Sequence, residues 1–335
     1  MKSILITGGT GFIGSHIIEH ILKTTDWNVV ILDRLDSTST PHRLMDIDVW
    51  EEQKHRVKFT YWNLQAPINQ YTAERLGKPE YVLHLAASTH VDRSITDPTM
   101  FVMDNVVGTL NLLEWARTNE NLQKFNYFST DEVLGSAPEG VNYKETDMPR
   151  PENPYAAAKL GGEALAQSYA CTWKMPIFIT RTMNVYGERQ HHEKFIPLSI
   201  NKILNGEEIS IHANKDLTKS GSRFYIHARN VASALMFLLE NGETLQKEDR
   251  EKGIYNIVGE KELSNEEVVL LLAKFVGKDA VYKLVDFHSS RPGHDLRYAL
   301  DGTRLKEAGF DYPKTLEESM QKMVEWYIAH KEWLN

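Results

Sequence analysis

Cysteine is almost absent: Cys171 is the only one in 335 residues. No intramolecular disulfide can form, and no cysteine-based metal cage can be assembled from this chain alone. A reducing compartment fits that usage. Positive charge is also in deficit, with 38 Lys and Arg against 46 Asp and Glu and a formal net charge of −8. Such a balance argues against broad attraction to nucleic acid or an anionic membrane, so any phosphate must be held by a local pocket. No apolar run approaches the ~20 residues needed to span a bilayer. Met1-Lys2 leads straight into Ser3-Ile4-Leu5-Ile6, without the charged start, longer apolar stretch or cleavage site of a secretory signal. The expectation is a cytoplasmic protein. The rest of the composition is ordinary for a globular chain, 41% apolar and 25% charged, which excludes disordered and low-complexity classes.

Short β-rich runs at 4–7, 29–32, 57–61, 81–85, 125–128 and 177–180 alternate with helical patterns such as 12–23, 100–117 and 155–173. Strand, helix, strand repeated in this way predicts an α/β fold, a Rossmann-type doubly wound parallel sheet with both faces covered. Ligands of such sheets bind beyond the carboxyl ends of the strands. After about residue 183 the alternation loosens into helices near 196–204, 230–239, 265–276 and 316–331 with a short strand at 209–212. We expect a dinucleotide-binding domain over 1–182, completed by part of 224–242, and a smaller mixed α/β substrate domain over 183–335. The segment 213–222 reads as a polar loop, and 243–252 as a charged connector on a solvated face.

Between the first strand and the first helix lies Thr7-Gly8-Gly9-Thr10-Gly11-Phe12-Ile13-Gly14. Gly8 permits the tight turn, Gly11 lets backbone approach a pyrophosphate, and Gly14 lets helix and strand pack closely. Phe12 and Ile13 open the helix, whose N-terminus supplies oriented N–H groups. A glycine triplet alone is a weak signal. Asp33, 19 residues beyond Gly14 at the end of the second strand, strengthens it, since a carboxylate there accepts from an adenosine ribose. It would repel a 2′-phosphate, which favours NAD; the neighbouring Arg34 leaves NADP open. The three-residue glycine spacing resembles the extended short-chain dehydrogenase/reductase superfamily.

Tyr155 and Lys159 are four positions apart in a predicted helix and so share a face. A tyrosine of ordinary pKa near 10 is a poor base, but a nearby ammonium and a cationic nicotinamide favour its phenolate. Ser129-Thr130-Asp131-Glu132 follows a predicted strand and puts two carboxyl groups at the mouth of the same crevice. Alcohol oxidation needs no such pair. Elimination of water does, because one group removes a carbon-bound proton while another protonates the leaving hydroxyl.

With Leu85-Ala86-Ala87, His90-Val91-Asp92-Arg93-Ser94-Ile95, Asn184-Val185-Tyr186-Gly187, Glu193-Lys194-Phe195-Ile196-Pro197 and Arg291-Pro292-Gly293-His294-Asp295, nearly the whole chain resembles the nucleoside-diphosphate-glucose 4,6-dehydratases, most of all the dTDP-glucose type. The Thr-Asp-Glu triplet is its most specific motif. The resemblance implies NAD held by Gly8, Gly11, Phe12, Ile13, Gly14, Asp33, Asn63, Leu64, Leu85, Ala86, Ala87, Tyr155 and Lys159. It implies a catalytic set of Thr130, Asp131, Glu132, Tyr155 and Lys159. Tyr155 would take the 4-hydroxyl proton, Glu132 the C5 proton, and Asp131 would protonate the departing C6 hydroxyl. Thr89, Thr130, Glu193 and Lys194 would meet the hexose, and Asn184, Arg223, His294 and Arg297 the remainder of a nucleotide-sugar substrate. A homodimer is implied too, through the stripe of Met100, Phe101, Val106, Val107, Leu110, Leu112 and Leu113, which burial within the monomer explains almost as well.

The chain departs from that pattern in places. Leu134 stands where the family usually has tyrosine, Ser88 replaces a common glutamate, Asn63-Leu64 replaces an Asp-Ile pair, and His212 replaces an aromatic residue near the nucleobase. With the longer 213–222 loop, these leave the base open between thymidine, uridine and others. A 4-epimerase or decarboxylase using Tyr155 and Lys159 is the nearest rival, and a silent NAD-bound scaffold a more distant one. His191-His192 lacks the spacing of a metal motif, so no metal is expected.

Overall fold

Ile4, Leu5 and Ile6 are consecutive and have no solvent exposure, which is the mark of a strand covered on both faces. They form β1 (Ser3–Thr7), followed by α1 (Phe12–Thr24), β2 (Asn28–Asp33), β3 (Val57–Tyr61), β4 (Tyr81–His84), β5 (Lys124–Thr130), α2 (Pro154–Trp173), β6 (Ile177–Thr182), α3 (Ala228–Asn241) and β7 (Ile254–Ile257). The structure, a computed structural model, describes residues 1–286 and 297–334. His294, with the whole of its Arg-Pro-Gly-His-Asp motif, lies outside the described residues.

All seven strands run parallel in the order β7-β6-β5-β4-β1-β2-β3. The connection order reverses between β1 and β4, and a crevice opens there at the carboxyl ends of the strands. The Thr7 hydroxyl at the end of β1 accepts from the Leu85 and Ala86 amides at 3.1 and 3.0 Å, fixing the two lips of the crevice relative to each other.

The six strands expected from the sequence are present. A seventh was not foreseen: β7 returns from the C-terminal half to pair with β6, while α3 packs on α1. A second core forms where Phe195–Asn205, Asn265–Val276 and Leu316–Ala329 cover the parallel strands Ile209–Ala213 and Tyr282–Asp286.

The pattern at 100–117 predicts one helix, and here the structure differs. Helix Pro98–Val102 passes through a wide π-helical turn, Met103–Val107, before Gly108–Ala116 resumes the α-helix. The Asn105 amide in that turn bonds both backbone groups of Ser88, each at 2.9 Å, a long-range contact that periodicity cannot reveal. Phe101, Leu112 and Leu113 from the apolar stripe are buried, whereas Leu110 is exposed.

Candidate active site

Gly8 has φ +69°, and a Cβ on Gly14 would stand 2.4 Å from the Gly8 carbonyl oxygen, so both positions require glycine. The turn they make delivers α1 to the crevice with no capping side chain on its first N–H groups. Oriented, uncapped donors at a helix start suit a diphosphate. Asp33 ends β2 nearby, and its carboxylate accepts from Thr10 N (3.1 Å), Thr10 Oγ1 (2.6 Å) and Leu35 N (3.0 Å). These features fit a dinucleotide.

The cleft that results has a volume of about 520 Å³. Its wall contains every residue expected to hold the cofactor: Gly8, Gly11, Phe12, Ile13, Gly14, Asp33, Asn63, Leu64, Leu85, Ala86, Ala87, Tyr155 and Lys159. Thr89, Thr130, Asp131, Glu132, Asn184, Glu193 and Lys194 line the same cleft.

At its floor β5 ends in Thr130, and the chain turns at once into the single 3₁₀ turn Asp131–Leu134. Thr130 Oγ1 donates to Asp131 Oδ1 at 2.9 Å, while Asp131 Oδ2 is buried with no hydrogen-bond partner among the described residues. Burial pushes the Asp131 carboxyl up to about 6, with Thr130 and then the Arg223 charge opposing. Burial and then the Asp131 charge push Glu132 up to about 7. Adjacent carboxyls of this kind do not both ionise readily, so near neutrality the pair keeps a proton.

Asn153 joins this pair to the helix that carries Tyr155. Its Oδ1 caps α2 by accepting from Ala156 N at 2.8 Å, and its Nδ2 donates to Glu132 Oε2 at 2.8 Å. Asn153-Pro154 is a readable helix-start signature; its second bond is tertiary and is not. Burial, followed by the Glu132 charge, raises the Tyr155 phenol well above its ordinary value. Burial brings Lys159 down to about 7, and its Nζ donates to Phe128 O at 2.6 Å while lying 4.5 Å from the Tyr127 ring centroid.

Two expected substrate residues are not in the wall. Arg223 stacks 4.7 Å from the Tyr298 ring centroid, and its charge acts on both Asp131 and Glu132. Arg297 is directed elsewhere, with all five of its N–H groups taken: Glu262 accepts from Nε and Nη2 at 2.8 and 2.9 Å, Asn142 from Nη2 at 2.8 Å, and the Pro138 and Val141 carbonyls from Nη1 at 2.7 and 2.6 Å. It staples the 138–142 loop. Tyr298, which no motif singled out, has a buried hydroxyl with no partner among the described residues and a phenol raised by burial and then by the Glu132 charge. Leu134 packs with Val133, Met183, Val258 and Tyr298, so the usual tyrosine is replaced by core.

A glycine cradle, an acid at the second strand's end and a buried Tyr/Lys pair on one parallel sheet define an extended short-chain dehydrogenase/reductase. The profile of the GDP-mannose 4,6 dehydratase family matches residues 5–323. The dTDP-glucose 4,6-dehydratase of Salmonella typhimurium is 34% identical over 99% of this chain and 94% of its own. Among solved structures, the dTDP-glucose 4,6-dehydratase of Streptomyces venezuelae with NAD bound superposes with TM-score 0.86 at 31% identity, covering 99% of this chain and 98% of the other. The NAD complex of Thermus thermophilus UDP-glucose 4-epimerase reaches 0.84 at 29% identity, covering 97% and 99%. The chain belongs to the nucleoside-diphosphate-sugar 4,6-dehydratase family.

Proposed function

We propose that this protein is an NAD-dependent hydro-lyase that removes water from a nucleotide-activated glucose, dTDP- or UDP-glucose, to give the 4-keto-6-deoxy sugar nucleotide. The carrying observation is the raised Asp131/Glu132 pair beside Tyr155 in one cleft. NAD is held by the glycine turn and the start of α1, by Asp33 at the ribose, by Asn63 and Leu64 at the adenine end, by Leu85, Ala86 and Ala87 along the β4 lip, and by Tyr155 and Lys159. When bound, it supplies the acceptor for the C4 hydride, its later return to C6, and a cationic ring beside Tyr155.

Tyr155 takes the 4-hydroxyl proton, with Thr130 bonded to the same oxygen. A ketone at C4 makes the C5 proton acidic, and Glu132 removes it. Asp131, through the oxygen that has no hydrogen-bond partner among the described residues, protonates the departing C6 hydroxyl, a step that requires the pair's proton to sit on Asp131 with Glu132 ionised once substrate is bound. A proton returns to C5 as C6 is reduced. Thr89, Glu193 and Lys194 of the cleft wall position the hexose and Asn184 of the same wall the nucleotide, and the family resemblance assigns Arg223 and His294 to the nucleotide as well. Arg297 supports that end through the 138–142 loop.

Residues 1–182 with α3 and β7 serve as the dinucleotide domain and most of the remainder as the substrate domain. We extend the proposal to a cytoplasmic homodimer. Val102 and Leu110 are exposed beside buried Phe101 and Leu112, which gives the 98–116 segment an apolar outer face, and the lone Cys171 fits a reducing compartment. No helix among the described residues is long and apolar enough to cross a membrane.

Incubation with dTDP-, UDP-, CDP- and GDP-hexoses, followed by weighing of the products, tests the reading. Loss of one water from one of them supports it. Products of unchanged mass with inverted C4 point to epimerisation, and absence of turnover across the panel points to a silent scaffold.

A further inference from the structure

Arg34 follows Asp33 and lines the same cleft, where a guanidinium is well suited to a 2′-phosphate. It is bound elsewhere. Nε and Nη2 donate to Asp36 Oδ2 at 3.1 and 3.0 Å, and Nη1 and Nη2 donate to Asp104 Oδ1 and Oδ2 at 2.6 and 2.8 Å. Both acceptors are themselves fixed. Asp36 Oδ1 takes the Thr38 amide and hydroxyl at 2.9 and 2.7 Å, and Asp104 takes Gln65 Nε2 at 2.7 Å and Ser88 Oγ at 2.5 Å. Asp104 is buried in the π-helical turn, so its position is set by the fold rather than by a flexible surface.

We infer that Asp36 and Asp104 hold Arg34 out of use as a phosphate ligand, and that this lock, together with Asp33, sets selectivity for NAD over NADP. Asp33, Asp36 and Asp104 line this part of the cleft with Arg34 and the buried Arg43, three carboxylates against two guanidiniums, so the ribose end carries net negative charge while the Arg34 fork is occupied. A neutral ribose diol tolerates that setting. A 2′-phosphate meets like charge and finds the Arg34 fork already taken. The same serine that replaces the usual glutamate completes the lock, since Ser88 Oγ is one of the donors that orient Asp104.

The inference rests on the proposal that this cleft takes a nicotinamide dinucleotide, and binding measurements separate the two. The full 335-residue chain, freed of nucleotide, is titrated with NAD and with NADP. Quenching of tryptophan fluorescence is the readout, Trp62 being in the cleft wall. In D36S/D104N the ratio of NADP to NAD affinity rises by about tenfold or more, the worth of a charge-assisted bond gained. Adding R34Q to that background returns the ratio most of the way to wild type. D36S alone, at a half-exposed position, moves the ratio in the same direction by a smaller factor and serves where the double variant does not fold. An unchanged ratio in these variants overturns the inference. So does an equal rise with and without R34Q, because the carboxylates would then act by repulsion alone. Failure of the wild-type chain to bind either dinucleotide overturns the reading of the cleft itself.

Discussion

Asp131 and Glu132 are neighbours in sequence and share one environment, and their proton carries consequences for stability as well as chemistry. In an unfolded chain both titrate near pH 4, but in the fold burial holds Asp131 to about 6 and Glu132 to about 7. The folded state therefore binds more protons than the unfolded one across that interval. Stability falls as pH rises through it and levels off above. The D131N/E132Q variant lacks the titration. Its melting temperature should match wild type near the bottom of the interval and exceed it by about 5 °C or more at pH 8, read by calorimetry at both pH values. A gap that does not widen contradicts the burial argument. The same variant should still bind dinucleotide and sugar nucleotide yet lose at least about 100-fold in elimination rate, whereas Tyr155→Phe should lose the initial oxidation, seen as absence of reduced-nicotinamide absorbance on substrate addition.

The catalytic helix is tied to the sheet through a buried ion pair. Arg181 on β6 donates to Glu163 of α2 through Nε and Nη2 at 3.2 and 2.9 Å, and both side chains are almost wholly buried. Removing one partner leaves an uncompensated charge, so Glu163→Ala should cost about 3–5 kcal/mol in denaturant unfolding, with Glu163→Gln closer to wild type. A loss under about 1 kcal/mol would show the pair to be dispensable. Elements of this kind were readable unevenly. The first six strands and α1, α2 and α3 follow from apolar periodicity and from glycine, asparagine and proline signals, because their burial is written along the local chain. The π-helical turn was not readable, since Asp104 and Asn105 bend the helix to reach Arg34 and Ser88. The same holds for β7: Ile-Tyr-Asn-Ile follows a charged connector and finds its partner in β6, some 75 residues earlier.

At the scale of the whole molecule, one parallel sheet gathers residues from six strand ends into a single cleft. This is why motifs spread from Gly8 to Lys194 were legible as one site. Arg297 was not, because its neighbours Glu262, Pro138, Val141 and Asn142 are brought together by the fold alone. The outer face at Val102 and Leu110 gives a prediction at this scale: V102E/L110E should run as a monomer in sedimentation where wild type runs as a dimer. A wild-type monomer at micromolar concentration contradicts the proposed dimer.

The central claim is that a ketone formed at C4 lets Glu132 and Asp131 remove hydrogen and hydroxyl from adjacent carbons. It is tested most directly by turning over dTDP- or UDP-glucose in deuterated water and locating the label by NMR. The account predicts a 4-keto-6-deoxy product with one deuterium at C5 and the original C4 hydrogen at C6. A product that keeps its C6 hydroxyl and carries no solvent deuterium at C5 would contradict it.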